Sequence, residues 1–346
     1  MKQFVTNGLF LFSLLLVVNG FGNLLVPTTE GDPAVVRKQK EVIVKPNNYN
    51  PIFIGSSRTY RHIDPNLFDS LMKQETGVTS YNLGLPATFA PEIFFCYEQM
   101  LEQLNPNRQR TIIMELQEVN LLAPKNLNSL KGTYWINNEY LIFSIKALWA
   151  SPRRPLGHKV VGTGTFFIGW FLNHFGFNYV TEVKAEAMDR ESLEENGFSC
   201  LDESMADKEY SASLWKRRNG FLADTTQVAK RASGQRKVQA IISDEKASEI
   251  NNVLLNKLNQ LISLSAEKNV NLIFILPPRL PSYKTVLPLG YALGNLRFFD
   301  LSSPDCYPEL WMLETSFDVA HMNCDGASIY TQSLVQQLQD AKILTE

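Results

Sequence analysis

Residues 51–58 read Pro-Ile-Phe-Ile-Gly-Ser-Ser-Arg, a short apolar run that stops at a turn of small residues. Short apolar runs bounded by turn residues are typical of buried strands in a parallel sheet. Four further runs share this pattern and lie at residues 78–83, 111–116, 270–276 and 297–301. The sequence therefore predicts five buried strands.

Helical patterns separate these strands. Apolar residues recur at helical spacing between Ile93 and Leu104, and again between Ile250 and Ile262. Because strands and helices alternate, the sequence predicts an α/β fold, a flavodoxin-like three-layer α/β/α arrangement around a five-stranded parallel sheet. In such folds the functional site lies at the carboxyl ends of the strands.

Residues 125–240 interrupt this alternation and are interpreted as an insertion. Their aromatic segment, residues 166–172, is too short to span a bilayer, and a core helix is favoured over interfacial contact with a membrane. Trp149, Trp170 and Trp215 are candidates for stacking on sugar rings, although each is individually more typical of a core.

The amino terminus carries a membrane-directed segment. Residues 8–26 read GLFLFSLLLVVNGFGNLLV, without a charge. This length and the lack of a small-residue cleavage site favour an uncleaved signal anchor within residues 1–26, with a cleaved signal or a buried helix as alternatives. Residues 27–50 are polar and are interpreted as a tether, which leaves residues 51–346 as an extracytoplasmic catalytic domain.

The composition argues against nucleic-acid binding and against a structural metal site. Thirty-three basic and 35 acidic side chains give a net charge of -2, so no global field attracts nucleic acid. The four cysteines form no Cys-x-x-Cys pair, and neither a metal site nor a cofactor is predicted. Pairing of Cys306 with Cys324 is one option in an oxidising compartment.

Candidate catalytic residues lie near the two ends of the folded region. Ser57 follows the first strand on a tight turn, where its hydroxyl would face the carboxyl edge of the sheet. Asp318 precedes His321 by three residues, so that its carboxylate can orient the imidazole as a general base. The alternatives are a serine that only caps a helix and a histidine that only packs.

These blocks, in this order, resemble the SGNH/GDSL hydrolase superfamily. Ser57 matches the nucleophile in a Gly-Ser-Ser variant of the family's first block, and Asp318 and His321 match the other two triad members. The resemblance implies an oxyanion hole built from the backbone of Ser57 and Gly84. The third block departs from the family pattern, and either Gln117 or Asn120 would replace its asparagine.

Within the superfamily, the chain looks most like the extracytoplasmic branch that transfers acyl groups onto cell-surface polysaccharides, which includes D-alanyl-transfer proteins. The resemblance implies a polysaccharide or other acyl acceptor as substrate, and a multi-span membrane acyltransferase as a partner. The alternatives are an esterase of soluble esters or carbohydrates and an inactive scaffold protein of an export complex.

Overall fold

The computed structural model describes residues 33–45, 48–72, 79–119, 134–152, 154–174, 196–206, 211–243, 250–279 and 283–344, together with isolated residues among the first 17. The anchor predicted within residues 1–26 therefore lies almost entirely outside the described residues. Among those that are described, no helix is both long and apolar enough to cross a membrane.

All strands of the sheet run parallel, as the sequence predicts. The order across the sheet is β2-β1-β3-β4-β5, which is the order of flavodoxin-like sheets. Its strands are β1 (Tyr49–Ile54), β2 (Thr79–Asn82), β3 (Arg110–Glu115), β4 (Val270–Leu276) and β5 (Phe298–Asp300). All six residues of β3 are buried, because helices cover a parallel sheet on both faces.

The described helices fill the connections between the strands and continue beyond β5. In chain order they are α1 (Pro33–Val44), α2 (Ser57–His62), α3 (Pro65–Met72), α4 (Ala90–Gln103), α5 (Asn138–Ala150), α6 (Leu156–His174), α7 (Leu201–Ala206), α8 (Ser211–Ala223), α9 (Thr226–Ser243), α10 (Asn252–Glu267), α11 (Tyr283–Leu293) and α12 (Cys324–Asp340), with a 3₁₀ turn at Pro308–Trp311.

The direction of the connections places helices on opposite faces of the sheet. The chain passes from β1 to β2 through α2 and α3, and then returns past β1 to β3 through α4. Right-handed crossovers in opposite directions put α3 and α4 on opposite faces. Accordingly, α3 packs against α12, whereas α4 packs against α10.

The strand order reverses between β1 and β3, and this reversal locates the site. Two neighbouring strands whose connections leave in opposite directions open a crevice at their carboxyl ends. The nucleophile candidate Ser57 begins α2 directly after β1, and Glu115 is the last residue of β3. Both residues therefore lie at the edge of the sheet where α/β proteins bind their ligands.

The chain divides into two compact units. One contains the sheet and comprises residues 38–119, 150–153 and 192–346; the other comprises residues 1–37, 120–149 and 154–191. The insertion predicted at residues 125–240 is therefore not a single body. Its first part, with α6 and most of α5, belongs to the second unit, whereas α7, α8 and α9 belong to the unit that holds the sheet.

The segment predicted as a tether, residues 27–50, differs from the prediction. It contains α1 and the first residues of β1. The Lys38 side chain is 1% exposed and donates three hydrogen bonds, to the carbonyl oxygens of Asn82, Gly84 and Gly197. A buried ammonium is tolerated when its donors are satisfied in this way, so part of the polar segment belongs to the folded body.

Candidate active site

The turn after β1 presents two adjacent serines with different surroundings. Ser56 is the N-cap of α2, and its side chain accepts a hydrogen bond from the backbone N–H of Arg58. Gly55 is required at this turn, because a Cβ there would lie 2.1 Å from Thr59 Oγ1 and 2.6 Å from Glu115 Cβ. The tight turn leaves Ser57, the first residue of α2, partly exposed.

Glu115 fixes this turn from the neighbouring strand. Its carboxylate is 1% exposed and accepts from the backbone N–H of Ser56 at 2.8 Å, from Ser56 Oγ at 2.8 and 2.9 Å, and from Thr59 Oγ1 at 3.0 Å. Gln117 Nε2 also donates to it, at 2.7 Å. A buried carboxylate with this many donors is well satisfied, and it ties the end of β3 to the start of α2.

The structure brings Ser57, His321 and Asp318 together. Ser57 Oγ lies 3.0 Å from His321 Nε2, although 264 positions separate the two residues in the chain. His321 Nδ1 lies 3.1 and 3.2 Å from the two carboxylate oxygens of Asp318. The Asp318 Oδ1 atom also accepts from the backbone N–H groups of Ala320 and His321, which fixes the turn that joins acid and base.

Burial and charge set the ionisation of this constellation. Burial lowers the pKa of His321, and Asp318 counteracts that effect only in part, so the imidazole is neutral at pH 7. Burial alone would raise the pKa of Asp318, but the His321 ring and the Arg217 guanidinium outweigh burial and hold it well below its ordinary value. A neutral imidazole beside an ionised carboxylate is the arrangement that general-base catalysis requires.

Arg217, on α8, contacts both the acid and the base. Its Nη2 bonds Asp318 Oδ2, and the same nitrogen lies 3.0 Å from His321 Nδ1. A guanidinium can only donate, whereas Asp318 can only accept, so the two groups demand opposite protonation of Nδ1. The contact with Asp318 favours a proton on Nδ1 and leaves Nε2 free to act as a base; the contact with Arg217 favours the other tautomer.

Further arginines hold the loop that carries Asp318 and His321, among them Arg279, Arg218 and Arg231, which donates to the carbonyl oxygen of Val319. The Arg279 side chain is 1% exposed and donates to the carbonyl oxygens of Leu310, Asp318 and His321. Arg218 on α8 donates to the carbonyl oxygen of Phe317 at 2.7 Å. These side chains replace the regular hydrogen bonds that an irregular loop lacks, and they position the acid–base pair.

His62 links the nucleophile helix to the same loop. It is the last residue of α2, is fully buried, and its Nε2 accepts from the backbone N–H of Met322 at 3.0 Å. Its ring centroid lies 5.9 Å from that of His321. Burial, together with the nearby positive charges, lowers the pKa of His62 well below 6.5, so the ring stays neutral and can accept this bond.

The donor groups predicted to form an oxyanion hole differ in the hydrogen bonds that they already make. The backbone N–H of Ser57 is at the first position of a helix, where the helix itself does not use it. The Gly84 N–H instead donates to Asn82 Oδ1 at 2.9 Å, and the Gln117 amide donates to Glu115. Asn120 lies outside the described residues. The Ser57 N–H is thus not used by its helix and the Gly84 N–H already has an acceptor, whereas the Gln117 amide carries a second N–H.

A disulfide joins Cys200 to Cys324, at the start of α12. The option of pairing Cys324 with Cys306 is therefore wrong, because Cys306 is an exposed free thiol on another loop. Asp202, on α7, accepts from the backbone N–H of Cys324 at 2.9 Å. The bond and this contact attach α7 to the chain three residues after His321, although 124 positions separate the two cysteines.

A cavity of about 320 Å³ adjoins the acid–base pair. It is lined by Arg217, Gly220, Phe221, Gln227, Asp318, Val319 and Ala320. Its walls are mostly apolar, and Arg217, Gln227 and Asp318 are the polar residues among those that line it. A space of this size beside Asp318 and Arg217 is large enough for an acyl group or part of an acceptor.

Sequence reasoning missed Glu115, Arg217 and Arg279. Glu115 lies within a predicted strand, and its position at the strand's end was the only signal that could have identified it. Arg217 and Arg279 carry no motif, because their partners are distant in the chain.

No protein-family model matches this chain, and no curated protein matches it.

Proposed function

We propose that the chain is a membrane-anchored, extracytoplasmic serine acyltransferase or esterase of the SGNH type, which acts on acyl groups of cell-surface polysaccharide. The single observation that carries this proposal is the 3.0 Å approach of Ser57 Oγ to His321 Nε2, with Asp318 on the other ring nitrogen. A nucleophile, its base and an orienting carboxylate at the carboxyl edge of a parallel sheet support acyl chemistry.

The proposed reaction has two half-reactions. In the first, Ser57 Oγ attacks the acyl carbonyl of the donor while His321 Nε2 takes the hydroxyl proton, and the donor alcohol leaves with that proton. In the second, His321 deprotonates a sugar hydroxyl, which attacks the acyl-serine, releases Ser57 Oγ and returns the proton to it. If water attacks instead, the product is free acid. The ionised Asp318 stabilises the imidazolium in both half-reactions.

Two observations support an extracytoplasmic location for this chemistry. The Cys200–Cys324 disulfide is of a kind that persists in oxidising compartments. The uncharged stretch at residues 8–26 has the length of a signal anchor. A membrane location would allow a multi-span membrane acyltransferase to deliver the acyl donor and a surface polysaccharide to accept the acyl group.

A serine-directed fluorophosphonate probe tests the nucleophile. We expect the probe to label the wild type at Ser57, and we expect labelling to disappear in Ser57→Ala and to fall sharply in His321→Ala, because the hydroxyl is not nucleophilic without its base. Ser263→Ala is the matched control, since it removes an exposed hydroxyl on α10 and leaves Ser57 and its turn unchanged. A folded wild type that takes no label, or takes it at Ser56, would favour a scaffold protein over an enzyme.

Product partitioning separates transfer from hydrolysis. The wild type is given a chromogenic acyl ester with and without a cell-surface oligosaccharide, and the products are separated into free acid and acylated sugar. We expect acylated sugar to appear only with acceptor and to be absent in Ser57→Ala. Free acid as the only product with every acceptor tried would assign the chain to the esterases.

A further inference from the structure

Helix α6 is buried on one side only. Its buried residues are Gly162, Thr165, Phe166 and Gly169. Its opposite side exposes large apolar side chains, each between 47% and 66% exposed: Leu156, Val160, Val161, Phe167 and Ile168. The prediction of a core helix for the aromatic segment 166–172 therefore holds for Phe166 but not for Phe167 and Ile168.

The exposed apolar residues form one continuous face. Successive residues of an α-helix are about 100° apart, which places Leu156, Phe167, Val160, Ile168 and Val161, in that order, within an arc of about 140°. Gly157 and Gly164 fall inside the same arc, and a Cβ at either glycine would meet nothing within 4 Å. No charged residue lies within this arc between Leu156 and Ile168.

The neighbouring helix α5 contributes to the apolar surface of the same unit. Ile142 is 53% exposed and Trp149 is 46% exposed. Contiguous apolar surface of this kind is uncommon on monomeric soluble proteins and marks a contact with a membrane or another protein.

The charge around this face favours a lipid surface. Between Asn138 and His174 the described residues of this unit carry three basic side chains, Lys146, Arg154 and Lys159, against one acidic side chain, Glu139. Anionic headgroups attract such residues by about 1 kcal/mol each. The sequence also carries the uncharged, membrane-directed stretch 8–26. Both features suit a bilayer better than a second copy, whose equally basic face would repel this one.

We propose that the apolar face of α6 lies in the interfacial layer of an anionic membrane, parallel to its plane, as a contact separate from the amino-terminal segment. An in-plane position follows from the helix itself, because its exposed apolar residues lie along one side while Thr165 and Phe166 are buried on the other. In this position Phe167 and Ile168 enter the boundary between headgroups and acyl chains, and Thr165 and Phe166 face the protein.

A nitroxide probe at position 167 tests this proposal in the full chain. Cys306→Ser removes the exposed thiol, since Cys96 is buried and the other two cysteines are bonded to each other. Phe167→Cys is then labelled, and the protein is reconstituted in vesicles of phosphatidylglycerol and phosphatidylcholine. Leu296→Cys is the matched control, a 69% exposed leucine on the unit that contains the sheet.

The readout is collision of the nitroxide with oxygen, which concentrates in lipid, and with a water-soluble nickel chelate. We expect the ratio of oxygen collisions to nickel collisions to be at least threefold higher for the probe at position 167 than for the probe at position 296. Equal nickel accessibility at the two positions would overturn the proposal. Protection of position 167 from both reagents would overturn it too, because a protein partner would then cover the face. Neither measurement depends on acyl chemistry.

Discussion

The guanidinium of Arg217 lies 3.0 Å from Nδ1 of His321, on the side of the ring that Asp318 also occupies. Arg217 thus competes with His321 for the carboxylate and opposes the tautomer that makes Nε2 a base. It also lines the 320 Å³ cavity, and its side chain is 45% exposed, so it can leave Asp318 for an anionic group of a substrate.

Arg217→Gln is expected to activate hydrolysis of a neutral chromogenic ester. The variant removes the guanidinium that competes with the His321 ring for Asp318, and we expect kcat to rise about threefold to tenfold, since a half-exposed charge changes an interaction by about 1 kcal/mol. The His321 pKa is lowered in part by Arg217, so the acidic limb of the pH–rate profile shifts to higher pH. Asp318, Arg58 and His62 also act on this pKa, and they are unchanged.

Arg236→Gln is the control for that experiment, because Arg236 forms an exposed ion pair with Asp305. Its pH–rate profile should match the wild type. A large loss of kcat in Arg217→Gln would contradict the competition and would make Arg217 a supporting residue of the site.

Glu115 is expected to be needed for both stability and catalysis. Glu115→Ala leaves the buried donors of Ser56 and Thr59 without their acceptor. We expect it to lower the free energy of unfolding by about 3 kcal/mol. Glu115→Gln keeps the shape but replaces one acceptor oxygen with a donor, so its loss should be smaller. Urea denaturation measures both changes, and Asp305→Asn, which alters an exposed carboxylate, is the control.

In the folded fraction of Glu115→Gln, we expect kcat to fall while KM changes little, because the turn that presents Ser57 shifts. A variant with wild-type kcat would show that the hydrogen bonds of Glu115 serve stability alone.

His62 is expected to make stability depend on pH. Its pKa is lowered by folding, so the unfolded chain binds the proton more tightly. The stabilisation is complete above the unfolded pKa of about 6.5 and is lost as pH falls below that value. His62→Gln, which can still accept from Met322, should flatten the fall in unfolding free energy between about pH 6.5 and 5.

A residual slope will remain in His62→Gln, since the pKa of His321 is also lowered by folding. His158→Gln is the control, because this exposed histidine lies on α6 in the other unit. If His62→Gln and wild type lost stability in parallel, His62 would not be the titrating group.

The Cys200–Cys324 disulfide is expected to stabilise the site. Replacing both cysteines with serine should lower the unfolding free energy by about 2–5 kcal/mol, because the bond closes a long loop. Cys306→Ser should have no such effect, since that thiol is free. Reduction of the wild type should reproduce the double variant; a wild type that is indifferent to reduction would show that the bond contributes little.

Much of the fold was predictable because its signals are local. Each buried strand of a parallel sheet is a short apolar run, and each run is visible in a few residues, as in Pro51–Ile54 or Val270–Leu276. The Asp318–His321 pair was predictable for the same reason, because a spacing of three residues on one turn brings the two side chains together whatever the rest of the chain does.

The strands, the turn that exposes Ser57 and the acid–base pair can all be predicted from short stretches of sequence. Their surroundings depend on contacts between distant parts of the chain: Glu115 bonds to the turn, Arg217 contacts the base, and Cys200 pairs with Cys324. Each of these contacts joins residues far apart in the chain, and it depends on the order of the strands and the packing of whole helices. Such contacts leave no periodicity or spacing in the sequence, because the energy that selects them is shared among many distant side chains.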